Sequence, residues 1–385
     1  MKRKTFLTLC TVALVATALT TTALLTGCGG TGEQHSVRVA ANLPLTGALA
    51  TYGFAVRQGV EMALADLETS RPGTRVPVFD WQDNQSDPQI AVSIMQQQYL
   101  NPPAVYVSGV KPQTMAIMDR ITTKGTPHFV WIFDAFINKN SRNNFRTWVS
   151  YKIEPPVYIA YAQDLAAKRV AIIYVQLPHT VEEFEKIVTP GLQARGVDAL
   201  LVEPFDFGRK DFKDTAVKVR AFGPDLIILN GFQAELVGMV RALRPFDLIT
   251  DGNTLATYDM LDAAEILGAD ELEGIRVVAP VFVTRPDRPA VAAWRERFET
   301  TFGKEPRYTH AFGYDMALII HDAAQRLATS ASGTEWIEAL RNTDIEGITG
   351  PLRFDADGDL LTPLEIGVFR GGRLVPLAEE ASVRG

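Results

Sequence analysis

The chain alternates apolar and polar positions at Val37, Val39 and Ala41, a period of two that predicts a half-buried strand. The next apolar set, Val60, Ala63, Leu64 and Leu67, recurs at three and four residues and predicts a helix with one buried stripe. Between them lies "PLTGALATYG", residues 44 to 53, where hydroxyl, glycine and tyrosine replace a plain tight turn. The same succession then repeats. Apolar runs at 76 to 81, 104 to 107, 128 to 132, 170 to 174, 199 to 202 and 226 to 229 predict further strands. Helices fall between them, with Ala91, Ile94 and Met95, then Phe184, Ile187 and Val188, then Leu236, Val240 and Leu243 turned inward. Strand and helix in strict succession predict an α/β fold of doubly wound parallel sheets covered on both faces.

The pattern falls into two series, one on each side of "TWVSYKIEPP", residues 147 to 156, an extended stretch closed by Pro155 and Pro156. We take it as a crossing between two lobes. Two later stretches, 277 to 286 and 350 to 359, are candidate second and third crossings, with the helix carrying Phe312, Met316, Ile319 and Ile320 returning to the first lobe. A length of 385 residues with 46% hydrophobic content supports two or three domains with full cores. A net charge of −7 provides no global basic surface, so nucleic acid is not an expected partner.

The first residues do not follow the globular pattern. Lys2, Arg3 and Lys4 precede an apolar, threonine-rich run to Leu25 that ends in "LLTGC", residues 24 to 28. This is an export signal. Thr26 and Gly27 ahead of Cys28 resemble the lipobox of bacterial lipoprotein precursors, which implies cleavage before Cys28 and lipid on that residue. Cys10 and Cys28 are the two cysteines of the chain, so the folded part holds no thiol for a disulfide, metal or nucleophile. Residues 29 to 36, "GGTGEQHS", form a flexible spacer. The expected layout is a signal peptide at 1–27, a lipidated tether at 28–36, an N-terminal lobe from 37–150 and 285–349, and a C-terminal lobe from 151–284 and 350–378.

"PLTGALATYG", "DNQSDP" (83 to 88), the first crossing, "NGFQAE" (230 to 235), "GYDMAL" (313 to 318) and "ITGPLRFDADGD" (348 to 359) occur in one order along nearly the whole mature chain. In this ordered set the chain resembles the leucine/isoleucine/valine-type (type I) periplasmic binding proteins of ABC transporters. The resemblance implies two doubly wound lobes joined by three crossovers. It also implies a ligand held in the cleft and passed to an ABC permease and ATPase.

Ligands of open α/β sheets sit beyond the carboxyl ends of strands, where helix N-termini present free N–H groups. The expected cleft residues are Tyr52, Gln113, Thr114, Phe133 and Asp134 from the first lobe and His179, Phe232 and Thr254 from the second. Thr46 offers a hydroxyl to the cleft or caps the next helix, and Lys111 meets a ligand carboxylate or water. In the resemblance, Thr254 stands where amino-acid-binding relatives carry the acid that holds the ligand ammonium. That difference widens the ligand class from amino acids to amides and aromatic acids.

No metal, cofactor or catalytic group is expected. The five histidines, at 35, 128, 179, 310 and 321, lack ligand spacing, and "DADGD", residues 355 to 359, breaks calcium-loop register because position twelve is Ile366. Neither a phosphate-cradling GxxxxGK[ST] nor a GxSxG elbow occurs. Glu182 and Glu183 are taken as a solvated helix face, so no acid/base pair is assigned. The expected protein is a monomeric, lipid-tethered, extracytoplasmic binder of a small organic solute that feeds an ABC importer. The alternative on the same fold is an envelope sensor or protein-binding regulator.

Overall fold

A computed structural model describes residues 36–47, 49–132, 141–149 and 152–378. Cys28, Phe133 and Asp134 lie outside the described residues. The first half builds β1 (Ser36–Leu43), α1 (Ala50–Ser70), β2 (Val76–Asp83), α2 (Pro88–Gln98), β3 (Val105–Gly109), α3 (Lys111–Thr123), β4 (His128–Trp131) and β5 (Asn144–Phe145). These strands make one parallel sheet in the order β2-β1-β3-β4-β5. The chain leaves β1 to one side for β2 and returns on the other for β3. The order therefore reverses beside β1, which opens a crevice at the carboxyl ends of β1 and β3.

The second series begins with α4 (Pro155–Asp164) and β6 (Arg169–Val175). A helical stretch follows as α5 (Pro178–Glu183), a π-helical turn over Phe184–Val188, and α6 (Thr189–Ala194). Then come β7 (Ala199–Phe205), α7 (Lys213–Phe222), β8 (Leu226–Asn230), α8 (Gln233–Leu243), β9 (Thr254–Ala256), α9 (Met260–Ala263), α10 (Ala269–Leu272) and β10 (Arg276–Pro280). Strands β7, β6, β8, β9 and β10 run parallel in that spatial order, and the order reverses beside β6.

After α11 (Val281–Thr284), the helices α12 (Pro289–Phe302), α13 (Tyr308–Arg326) and α14 (Gly333–Arg341) follow, and α13 packs on α1 and β2 of the first sheet. Two glycines set that crossing. A Cβ on Gly59 of α1 would lie 1.9 Å from the His310 carbonyl oxygen, and one on Gly313 of α13 would lie 2.4 Å from that of Val56. The helix backbones therefore touch where side chains would normally hold them apart. A short hairpin, β11 (Ile345–Glu346) with β12 (Pro351–Leu352), precedes β13 (Leu364–Arg370) and β14 (Arg373–Pro376), which close the second sheet as antiparallel edge strands.

The six runs of apolar residues read from sequence are all strands of these sheets. Residues 277 to 280, read as the start of a crossing, instead belong to β10 inside the second sheet, and the chain leaves that sheet after α11. The crossing segments are tied to one another. Arg146 pairs with Asp359 at 2.7 Å with both side chains buried, and Lys152 reaches Asp357 at 2.5 Å. Arg285 binds Glu365 of β13 through both carboxylate oxygens, at 2.8 and 3.0 Å from Nε. "DADGD" forms an Asp turn, its Asp355 carboxylate accepting from the amides of Asp357 and Asp359. Among the described residues no cluster suited to a metal ion is found, and no helix is long and apolar enough to cross a membrane.

Candidate functional site

Residues at the strand tips of both sheets line two cavities that share His179. A cavity of about 270 Å³ opens at the first sheet. Its walls are Leu43 and Pro44 at the end of β1, Gly109 and Val110 at the end of β3, Trp131 and Ile132 at the end of β4, Leu49, Tyr52 and Val56 around the start of α1, and His179 of α5. Strain marks the site. Val110 holds φ at +69°, in the left-handed region a β-branched residue avoids.

The loop 44 to 49 is held by Asp83. The Leu45 and Thr46 amides donate to its Oδ1 at 2.9 and 3.1 Å, and the Thr46 hydroxyl donates to Oδ2 at 2.6 Å. Burial works to raise the Asp83 carboxyl, yet the Thr46 hydroxyl and the amides of Gln85, Leu45 and Thr46 outweigh it and hold it below its ordinary value. Thr46 thus helps fasten the loop, and Pro44, Leu49 and Tyr52 wall the cavity.

A second, smaller cavity of about 30 Å³ lies beyond β6, β8 and β9, and His179 stands between the two. It is lined by Val149, Glu154, Val175, Thr180, Glu183, Asn230, Phe232, Tyr258 and Asp259. Glu154 and Glu183 are buried. Burial, with Asp259 nearby, pushes Glu154 up to about 8; burial and Glu154 raise Glu183 well above its ordinary value. Burial and Asp262 bring Asp259 to about 8. Glu154 Oε1, Glu183 Oε1 and Asn230 Oδ1 are buried and accept no hydrogen bond among the described residues.

Trp148, on the first crossing, joins the two halves of the site. Its ring lies 5.4 Å from that of Trp131 and 6.3 Å from that of Tyr52, and its Nε1 donates to the Tyr258 hydroxyl at 3.2 Å.

The structure thus brings together Tyr52, His179 and Phe232, with Tyr52 and His179 at the large cavity and His179 and Phe232 at the small one. Gln113, Thr114 and Thr254 line neither. Gln113 donates to the Ser86 carbonyl, and Thr114 is bonded to Ser108 at 2.9 Å, which in turn meets His128 Nε2 at 2.7 Å. Thr254 is buried within β9, its hydroxyl donating to Asn253. Lys111 lines the large cavity as an exposed side chain. The solvated face expected for both glutamates holds for Glu182, which pairs with Lys186 at 2.5 Å, but Glu183 is buried. Glu154, Glu183, Asn230 and Asp259 were not anticipated. Asp259 carried a legible signal, an acid just past the carboxyl end of a strand.

A family model described as "Periplasmic binding protein" matches residues 36–372. A Leu/Ile/Val-binding protein from Citrobacter freundii is 23% identical over 361 residues, covering 90% of this chain and 95% of its own length. Among solved structures, a putative branched-chain amino acid ABC transporter protein from Rhodospirillum rubrum superposes with a TM-score of 0.75 at 22% identity, covering 89% of this chain and all of its own. A solute-binding protein of an ABC transporter from R. palustris, in complex with benzoate, gives 0.72 at 18% identity over 89% of this chain and 95% of its own.

Proposed function

The chain belongs to the periplasmic binding protein family, and from that premise we propose that it captures a small organic solute between its two sheets outside the cytoplasm and delivers it to an ABC importer. The observation that carries this reading is the cavity of about 270 Å³ at the strand tips of the first sheet, which His179 of α5 also lines. Ligands collect at such order reversals because helix N-termini and strand ends leave room and free backbone groups there.

Residues 37–150 with 285–349, and 151–284 with 350–378, act as the two lobes in this reading. Closure of the lobes is driven by contacts the solute makes with both, since equal affinity for open and closed forms shifts nothing. Tyr52, Trp131 and Trp148 hold the solute's apolar body; His179, Phe232 and Asp259 complete the grip from the second lobe. The protein works as a monomer, tethered by lipid on Cys28. Family and fold are those of substrate-binding proteins, with binding rather than turnover as the chemistry of the cleft.

A thermal-shift screen of the purified protein against amino acids, amides, amines and aromatic carboxylates tests this. A binder at about 100 times its Kd stabilises the native state by about 2.7 kcal/mol. A flat response to all four sets would contradict solute capture.

A further inference from the structure

The strands of the first sheet have two ends, and the cleft uses one of them. At the other, the amino ends, a cavity of about 380 Å³ is lined by Ser36, Arg38, Arg75, Pro102, Pro103 and Lys124, and no Asp or Glu lines it among the described residues. The connections that meet there, residues 71–75, 99–104, 124–127 and 327–332, carry Arg71, Arg75 and Lys124 and not one acid, in a chain whose net charge is −7.

Carboxylates do not cancel this charge. Arg38 pairs with Asp80 at 2.7 Å, but Arg75 donates to the carbonyls of Ala324 at 3.1 Å and Leu327 at 2.7 Å, and its Nε is buried without an acceptor. Lys124 holds its ammonium 4.6 Å from the centre of the Tyr99 ring. Neither Arg75 nor Lys124 pairs with an acid among the described residues. Arg75 caps the end of α13, and a helix end brings only about half a negative charge, so the cavity stays positive.

An apolar group stands beside the cations. Leu100, in the connection that supplies Pro102 and Pro103, is 86% exposed, the most exposed large apolar side chain among the described residues. An anionic lipid surface takes up both kinds of group, its phosphates meeting the cations while the apolar side chain enters the headgroup boundary. A soluble anion would engage the cations and leave Leu100 in water.

The tether fixes which surface is near. Ser36, the first described residue, lines the cavity, and eight residues of chain separate it from Cys28. A flexible stretch of that length spans about 16 Å on average and at most about 29 Å. Lipid on Cys28 thus keeps this end of the sheet beside the headgroups, where a high local concentration lets weak contacts suffice.

Building on lipid attachment at Cys28, we propose that the amino-end face of the first sheet docks on an anionic phospholipid surface, with Arg75 and Lys124 on lipid phosphates and Leu100 in the interface. The cleft lies at the opposite ends of the same strands, so docking holds its mouth away from the bilayer.

Co-sedimentation with vesicles tests this on the chain from Gly29 onward, which retains every described residue and carries no lipid. The expected result is binding at low salt to vesicles of equal parts phosphatidylglycerol and phosphatidylcholine, and none to phosphatidylcholine alone. Lys124→Gln weakens binding about five-fold, as loss of one cation near an anionic surface does, and Leu100→Ser weakens it further. Lys213→Gln, the same change at an exposed position of α7, leaves binding as it was. Equal binding to the two vesicle types, binding to neither, or no effect of Lys124→Gln and Leu100→Ser overturns the docking. Displacement by millimolar inorganic phosphate at constant ionic strength overturns it in favour of a soluble anion. The mass of the Cys28 peptide from the cell envelope reads the tether separately: an unmodified cysteine overturns the docking, whereas failure on vesicles with that lipid present leaves the tether standing. Solute capture, read in the thermal screen, is untouched by either.

Discussion

The ion pair between Arg146 and Asp359 joins the first and third crossings, and its removal has a computable consequence. The guanidinium is 0% exposed and the carboxylate 3%, and they meet at 2.7 Å. Asp359→Asn keeps the volume and leaves the backbone bonds of the Asp355 turn in place, since these run through the amide and carbonyl of residue 359. What changes is charge: a buried guanidinium loses the carboxylate that it meets at 2.7 Å. Removing one partner of such a pair costs about 3–5 kcal/mol. Lys152 lies 3.4 Å from Asp359 but retains Asp357 at 2.5 Å, so it adds little to the loss. Because the urea slope grows with the surface exposed on unfolding, the loss is read as the shift in midpoint multiplied by the measured slope. Urea unfolding followed by tryptophan fluorescence and by circular dichroism measures it, with both probes needed because a two-lobed chain need not unfold in one step. The double variant Arg146→Met with Asp359→Leu removes both charges and recovers most of the loss. A loss under about 1 kcal/mol for Asp359→Asn, or a double variant worse than the single, refutes the reasoning.

Other substitutions probe the remaining elements. Gly59→Ala drives a methyl group against the His310 carbonyl and destabilises the protein by about 1–3 kcal/mol in thermal or chemical unfolding; unchanged stability contradicts the close crossing of α1 and α13. Phe232→Ala, at the small cavity with its ring 5.5 Å from that of Phe207, lowers solute affinity in calorimetry and leaves the circular dichroism spectrum intact. Glu154 and Asp259 both sit near 8 in the folded chain, above their ordinary values of 4.5 and 3.8. A raised acid favours folding below its unfolded value and loses that contribution as pH climbs to its folded one. The unliganded protein therefore melts at progressively lower temperature from about pH 5 to pH 8, and Glu154→Gln with Asp259→Asn flattens the slope. A melting temperature that rises across this window contradicts the sign.

The periodic elements were legible because burial writes itself into spacing. The strands of both sheets and the helix carrying Phe312 and Ile320 show it plainly. Register within short elements was less so. Thr254, expected in the cleft from the resemblance, is the first residue of β9, which runs to Ala256, and the residues that line the small cavity beyond it are Tyr258 and Asp259. Glu182 and Glu183 look alike in sequence, yet neighbouring helical positions point about 100° apart. One faces Lys186 and water and the other the interior, just where the helix widens into its π turn. Gln113 and Thr114 line neither cavity and bond Ser86 and Ser108 instead, partners that local spacing does not announce. Thr46, read as a donor to a ligand or a helix cap, found its partner in Asp83, 37 residues away. Contacts between distant segments leave no mark on local pattern.

The most direct test is a crystal structure of the protein with the tightest binder from the screen. Capture between the sheets predicts the solute's body against Trp131 and Tyr52 and its polar end within hydrogen-bond distance of Asp259 or Glu183, so that both sheets touch one molecule. A solute bound outside the cleft, or one resting on a single sheet with the other free of it, would contradict the account.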